Sequence, residues 1–162
     1  MNTLKTTSLN AVFTALVAIA TLLIRVPVPA TQGYINLGDA VVIAAALLMG
    51  PRTGLIAGGI GSALADWMGG YAHWAPFTLI IKGLEGYLVG LVGTRSWGSR
   101  GSRTILAATI GGVTVVGGYF LVEVSLYGRE AALVAASANA FQMLCGAIAG
   151  VAAAAALRRL IG

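Results

Sequence analysis

"APFTLIIKGLEGYLVGLVGT", residues 75–94, is twenty residues long and carries two charges, Lys82 and Glu85. About twenty apolar residues in a helix cross the ~30 Å hydrocarbon core of a bilayer. The length therefore reads as a membrane span, and the charges are its anomaly. The rest of the chain supports this reading. Of 162 residues, 58% are hydrophobic and 9% are charged. The mean hydropathy is +0.90. A soluble domain carries about 25% charged residues, so the charge shortage points to an integral membrane protein. The 23 glycines suit close helix packing in lipid. The apolar runs are continuous and do not alternate, which argues against a membrane β-barrel.

Further runs of the same kind lie on both sides. The expected spans are about 8–26, 39–50, 53–70, 75–94, 104–127 and 131–157, one integral membrane domain over 1–162. The first reads as a retained span and not as a removed signal peptide. The loop "PVPATQGYINLGD" follows it, and its prolines stop the helix. The run 39–50 is short and crosses only with help from the loop or a thinned bilayer. The expected fold is all-α, a six-transmembrane-helix bundle with its termini on one side. Lys5, Arg52, Arg95, Arg100, Arg103, Arg158 and Arg159 fall on that side, and Arg25 and Arg129 on the other. Basic loops stay in the cytoplasm, so both termini are expected there, with external loops at 27–38, 70–75 and 128–130. The net charge of +5 thus speaks for orientation and not for nucleic acid.

Charges at membrane depth are costly and mark functional candidates. Asp39, Asp66, Lys82, Glu85, Glu123, Asn139 and Gln142 all fall in the outer half of their spans. A pocket opening outward would produce this distribution. Tyr119, Glu123 and Tyr127 repeat every four residues and so share a helix face, as do Asn139 and Gln142 at a spacing of three. These faces suit a small aromatic ligand with hydrogen-bonding groups, but interhelical packing would also use them. Trp67, Tyr71, His73 and Trp74 cluster at the outer mouth, where an aromatic belt would sit. Lys82 either neutralises Glu85 along its helix or bridges to Asp66 across helices.

Several functions are excluded by what the chain lacks. It has no GxxxxGK[ST] phosphate loop and no HExxH. "GGIGSA" at 58–63 lacks the third glycine and the preceding strand of a dinucleotide turn. With one histidine, His73, and one cysteine, Cys145, no catalytic residue, metal site or cofactor is expected. An outward pocket without an energy source suggests a binding subunit that draws on partners.

The segment "GYINLGDAVVIAAALLMGPRTGLIAGGIGSALADWMGG" and the following "PFTLIIKGLEGYLVGLV" resemble the substrate-binding S components of energy-coupling factor (ECF) vitamin transporters. The likeness covers about 33–93 and is nearest to the riboflavin-type group, which includes proposed pyridoxine and thiamine-precursor carriers. It implies a prokaryotic, multi-pass plasma-membrane protein that binds a riboflavin-, pyridoxine- or hydroxymethylpyrimidine-class vitamin in an outward pocket. It also implies a transmembrane coupling subunit and two cytoplasmic ATPases as partners. Ala11 and Ala15 fit the AxxxA that contacts the coupling subunit in that family. Substrate contacts are expected from Tyr34, Asn36, Glu85, Tyr119, Glu123, Asn139 and Gln142. A compact polar pocket favours a small heterocycle over riboflavin. Lys82 and Glu85 lie about 60° apart around their helix, so one face does not hold both equally. The expectation is that Glu85 faces the ligand and Lys82 bridges to Asp66. The alternative function is an autonomous, proton-coupled secondary transporter using Glu85 or Glu123.

Overall fold

Proline and glycine set most of the helix boundaries. The computed structural model describes residues 3–96 and 98–161. Within them run α1 (Thr3–Leu23), β1 (Arg25–Val28), β2 (Gly33–Asn36), α2 (Gly38–Met49), α3 (Pro51–Gly69), α4 (Ala75–Gly93), α5 (Arg100–Tyr127) and α6 (Arg129–Ile161). Gly50, at φ 90°, turns the chain from α2 into α3, and Pro51 starts the new helix where its missing N–H costs nothing. Gly128, at φ 85°, does the same between α5 and α6. The side chain of Ser99 caps α5 by accepting from the Ser102 amide at 3.1 Å.

The first helix stops at Leu23, three residues before the expected Val26. The chain there enters an antiparallel ribbon that pairs Arg25 with Asn36 and Val28 with Gly33. Valine at 26 and 28 favours the extended form, and Pro27 is tolerated because a two-stranded ribbon has only edges. A 3₁₀ turn at Pro29–Thr31 closes the ribbon, with Gln32 left-handed at φ 51°. The expected loop at 27–38 is thus largely a hairpin, a small β element on an otherwise helical fold.

Among the described residues, four helices are long and apolar enough to cross a membrane: α1, α4, α5 and α6. α2 has 12 residues, about 18 Å of helix, short of a ~30 Å core. It is instead the packing centre, with Val42, Ile43, Ala45 and Ala46 fully buried. Glycines let its neighbours close in. A Cβ at Gly150 would lie 2.6 Å from the Ala40 carbonyl, so α6 touches the α2 backbone there. Gly54 of α3 and Gly86 of α4 meet backbone to backbone, and neither position has room for a side chain. The outer faces of α1, α5 and α6 present Val12, Ile19, Val113, Leu144 and Ile148. In water such a surface would aggregate, whereas lipid covers it without cost.

Candidate functional site

The hairpin lies over one end of the bundle, and the polar residues gather beneath it. α2 begins there with Asp39, whose carboxylate sits in the first turn, where the helix dipole favours a negative charge. Asp39 is 1% exposed. One of its oxygens pairs with the Lys82 ammonium of α4. The other accepts from Gln142 Nε2 of α6 at 2.5 Å. Gln142 Oε1 in turn accepts from the Asn36 amide at 2.6 Å, and Asn36 Oδ1 accepts from the Gly38 amide at 2.8 Å. One network therefore joins the hairpin, the start of α2, α4 and α6.

A second set of contacts holds the hairpin to α3 and α4. The Tyr34 hydroxyl donates to Asp66 Oδ1 at 2.6 Å. Burial, then the negative charge of Asp66, pushes the Tyr34 phenol well above its ordinary range, so it stays a donor. Arg25 donates to the Gly69 carbonyl at 2.8 Å, and its guanidinium lies 5.9 Å from the centre of the Tyr34 ring. Trp74 Nε1 donates to the Gln32 carbonyl at 3.3 Å.

Between these contacts lies a cavity of about 40 Å³. Tyr34, Asn36, Tyr119, Glu123, Asn139 and Gln142 all border it, together with Asp66 and Lys82. Six of the seven residues expected at the pocket are thus brought to one place. Glu85 is not among them. It is fully buried on α4, about one turn beyond Lys82, with Oε2 3.6 Å from the Lys82 ammonium. The expected Lys82–Asp66 bridge is also corrected, because Lys82 pairs with Asp39 and Glu85 while Asp66 is held by Tyr34. The roles of the two α4 charges are exchanged relative to expectation. Lys82 faces the cavity, and Glu85 supports it from behind. The physical reason is depth, since three residues further along the helix is ~4.5 Å further from the hairpin.

The aromatic cluster divides in a similar way. Trp67 is 73% exposed, as a lipid-facing belt residue would be, but Trp74 is buried. Its ring packs at 5.8 Å from Tyr119 and 6.0 Å from Tyr127. Tyr71 stacks against Tyr34 with centroids 4.4 Å apart. Thr21, Thr31, Ser62 and Thr78 also border the cavity. Small hydroxyl residues inside apolar helices give little sequence signal, because they commonly bond their own backbone. Of the buried oxygens at the cavity, Thr21 Oγ1, Thr31 Oγ1, Asp66 Oδ2 and Glu123 Oε2 make no well-formed hydrogen bond among the described residues, although the Thr31 hydroxyl lies close to Glu123 and the Thr78 hydroxyl close to Asp66. Such groups are costly unless something meets them. Two of the four are carboxylate oxygens, so a complementary molecule would present donors. Among the described residues no cluster of His, Cys, Asp and Glu fits a metal ion.

Ala11 and Ala15 do not border this cavity; they lie one turn apart and exposed on α1, whose contribution to the cavity is Thr21.

The family described as "ECF-type riboflavin transporter, S component" matches residues 1–159. An uncharacterised protein of Pyrococcus woesei, described as lying in a gap 3' region, is 42% identical over 90% of this chain and 97% of its own length. The thiamine precursor transporter HmpT of Lactococcus lactis subsp. cremoris is 33% identical over 88% of this chain and 81% of its own. A UPF0397 protein of Streptococcus pneumoniae is 38% identical over 43% of this chain.

Proposed function

The chain belongs to the ECF-type riboflavin transporter S component family, and from that premise we propose that it is the substrate-binding subunit of an ATP-driven vitamin importer, taking a single-ring heterocycle of the thiamine-precursor class. A transporter S component is not an enzyme. The observation that carries the substrate reading is the cavity beneath the hairpin. Its carboxylate acceptors, Asp66 Oδ2 and Glu123 Oε2, approached only by threonine hydroxyls, suit a ligand with amino or hydroxyl donors. Lys82, Asn139 and Tyr119, from three different helices, add an ammonium, an amide and an aromatic phenol to the lining. An aminopyrimidine bearing a hydroxymethyl group offers that complement. At about 40 Å³ the cavity lies well below the ~300–1,000 Å³ typical of ligand pockets. Admission then requires the hairpin to lift, and a single ring asks for less movement than tricyclic riboflavin. The similarity to a thiamine precursor transporter supports the same choice.

The chain carries no phosphate loop, so its energy comes from partners: a transmembrane coupling subunit and two cytoplasmic ATPases. Ala11 and Ala15, small and exposed on α1, offer a smooth surface to that coupling subunit. In this reading all six helices lie in a prokaryotic plasma membrane, with both termini cytoplasmic and the hairpin outside. Thermal-shift measurements on the purified chain test the substrate class. Hydroxymethylpyrimidine should raise the melting temperature more than riboflavin or pyridoxine does. A shift with riboflavin alone would overturn the single-ring assignment, and uptake by the chain alone in liposomes under a pH gradient would overturn the subunit role.

A further inference from the structure

Among the described residues, the end of the bundle opposite the hairpin carries positive charge that no carboxylate neutralises. All five acidic residues, Asp39, Asp66, Glu85, Glu123 and Glu130, lie under the hairpin, in the helix interior or at the α5–α6 turn. The start of α5 and the end of α6 bring Arg100, Arg158 and Arg159 around one groove of about 480 Å³. Among the described residues, none of these arginines pairs with a carboxylate. Arg158 donates to the Leu47 carbonyl at the end of α2 and so forms part of the wall. Arg100 and Arg159 are exposed.

The floor of this groove is apolar, formed by Leu47, Val151 and Ala154. It does not end there. Thr104, Ile105, Val151 and Ala155 also border a trough of about 890 Å³ that runs on between α5 and α6. The trough reaches Gly117 on α5 and Ala140 on α6. From Thr104 to Gly117 is ~20 Å of helix, more than half of a ~30 Å bilayer core. Ala108, Gly112 and Ala147 keep it concave, and its walls are nearly free of polar groups.

We infer that this continuous groove binds an anionic phospholipid, with the headgroup phosphate among Arg100, Arg158 and Arg159 and one acyl chain along the α5–α6 trough. Both halves of the surface are needed for this choice. Unpaired cations at a membrane surface attract anionic headgroups, whereas a zwitterionic lipid brings its own compensating ammonium. An apolar trough leading straight from the cations fits a molecule with an anion at one end and a hydrocarbon at the other. An acidic protein segment would use the arginines and leave the trough without an occupant.

Native mass spectrometry of the purified full chain tests this, using phosphatidylglycerol and phosphatidylcholine of identical acyl chains. The intact protein should retain one phosphatidylglycerol through activation that strips phosphatidylcholine. The double variant Arg100→Gln/Arg159→Gln should weaken phosphatidylglycerol retention roughly thirtyfold, at ~1 kcal/mol for each charge removed. Each single variant should give a smaller loss, and both positions are exposed, so helical content should be unchanged. Equal retention of the two lipids by the intact protein would overturn the inference. So would a double variant that keeps the anionic lipid but no longer assembles with the coupling subunit and ATPases, because the groove would then be a protein contact.

Discussion

Lys82 is the residue on which the site turns. It is 3% exposed, inside a helix that reads as a membrane span, and it stands between two carboxylates, Asp39 and Glu85. Removing its charge leaves both uncompensated, which for a buried pair costs roughly 3–5 kcal/mol. Lys82→Met should therefore lower the melting temperature sharply and abolish ligand binding, as read by thermal unfolding in detergent. A variant that unfolds like the parent would remove Lys82 from the network. Tyr34→Phe is milder. It deletes the bond to Asp66 and leaves that buried carboxylate without its donor, so stability should fall by ~1–3 kcal/mol, less than for Lys82→Met, and ligand affinity by about tenfold, measured by calorimetry. The sequence already marked Asp39, Asp66, Lys82 and Glu85 as polar groups at membrane depth. It pointed Lys82 to Asp66 and not to Asp39, because Asp39 is 43 residues away and reaches it only through the packing of α2 against α4. The spacing within α4 did carry one constraint: Lys82 and Glu85 could not face the cavity equally. The structure resolves it in favour of Lys82.

At the scale of the element, helices were legible and the hairpin was not. Long apolar runs bounded by Gly50, Pro51, Gly70 and Gly128 place three of the five helix joins, since proline and positive-φ glycine act locally. Arg25–Val28 continues an apolar run, so its extended form becomes evident only once Gly33–Asn36 pairs with it. The abundance of glycine was readable as close helix packing, but which glycines would meet was not. Gly54 and Gly86 turn out to face one another. Gly86→Val would drive a methyl into the Gly54 carbonyl. Overpacking of this kind typically costs ~1–3 kcal/mol, and the variant should melt earlier than the parent in a detergent unfolding scan. A mutation to valine at Gly117, where nothing lies within 4 Å of an added Cβ, should be tolerated and serves as the control.

The whole molecule has two unlike ends joined by an apolar shell. One end holds the hairpin, the cavity and the buried acids; the other holds most of the arginines, with no carboxylate to meet them among the described residues. Charge bias along the sequence made this polarity readable, because the location of each cation relative to a span needs no tertiary information. The cavity's size and its closure by the hairpin needed the full packing. In the proposed reading, substrate capture belongs to the hairpin end and coupling to α1, so the two are separable by mutation. Ala15→Trp adds bulk at an exposed position of α1 and should abolish uptake in cells that carry the coupling subunit and ATPases. Ligand binding by the same purified variant should be unchanged. Loss of binding would show that this face belongs to the pocket's support. The central claim, a cavity built for a donor-bearing single-ring vitamin precursor, is tested most directly by calorimetric titration of the purified chain with hydroxymethylpyrimidine. The account predicts saturable binding of one ligand per chain, weakened by Tyr34→Phe. An absence of heat with hydroxymethylpyrimidine, alongside saturable binding of riboflavin, would contradict it.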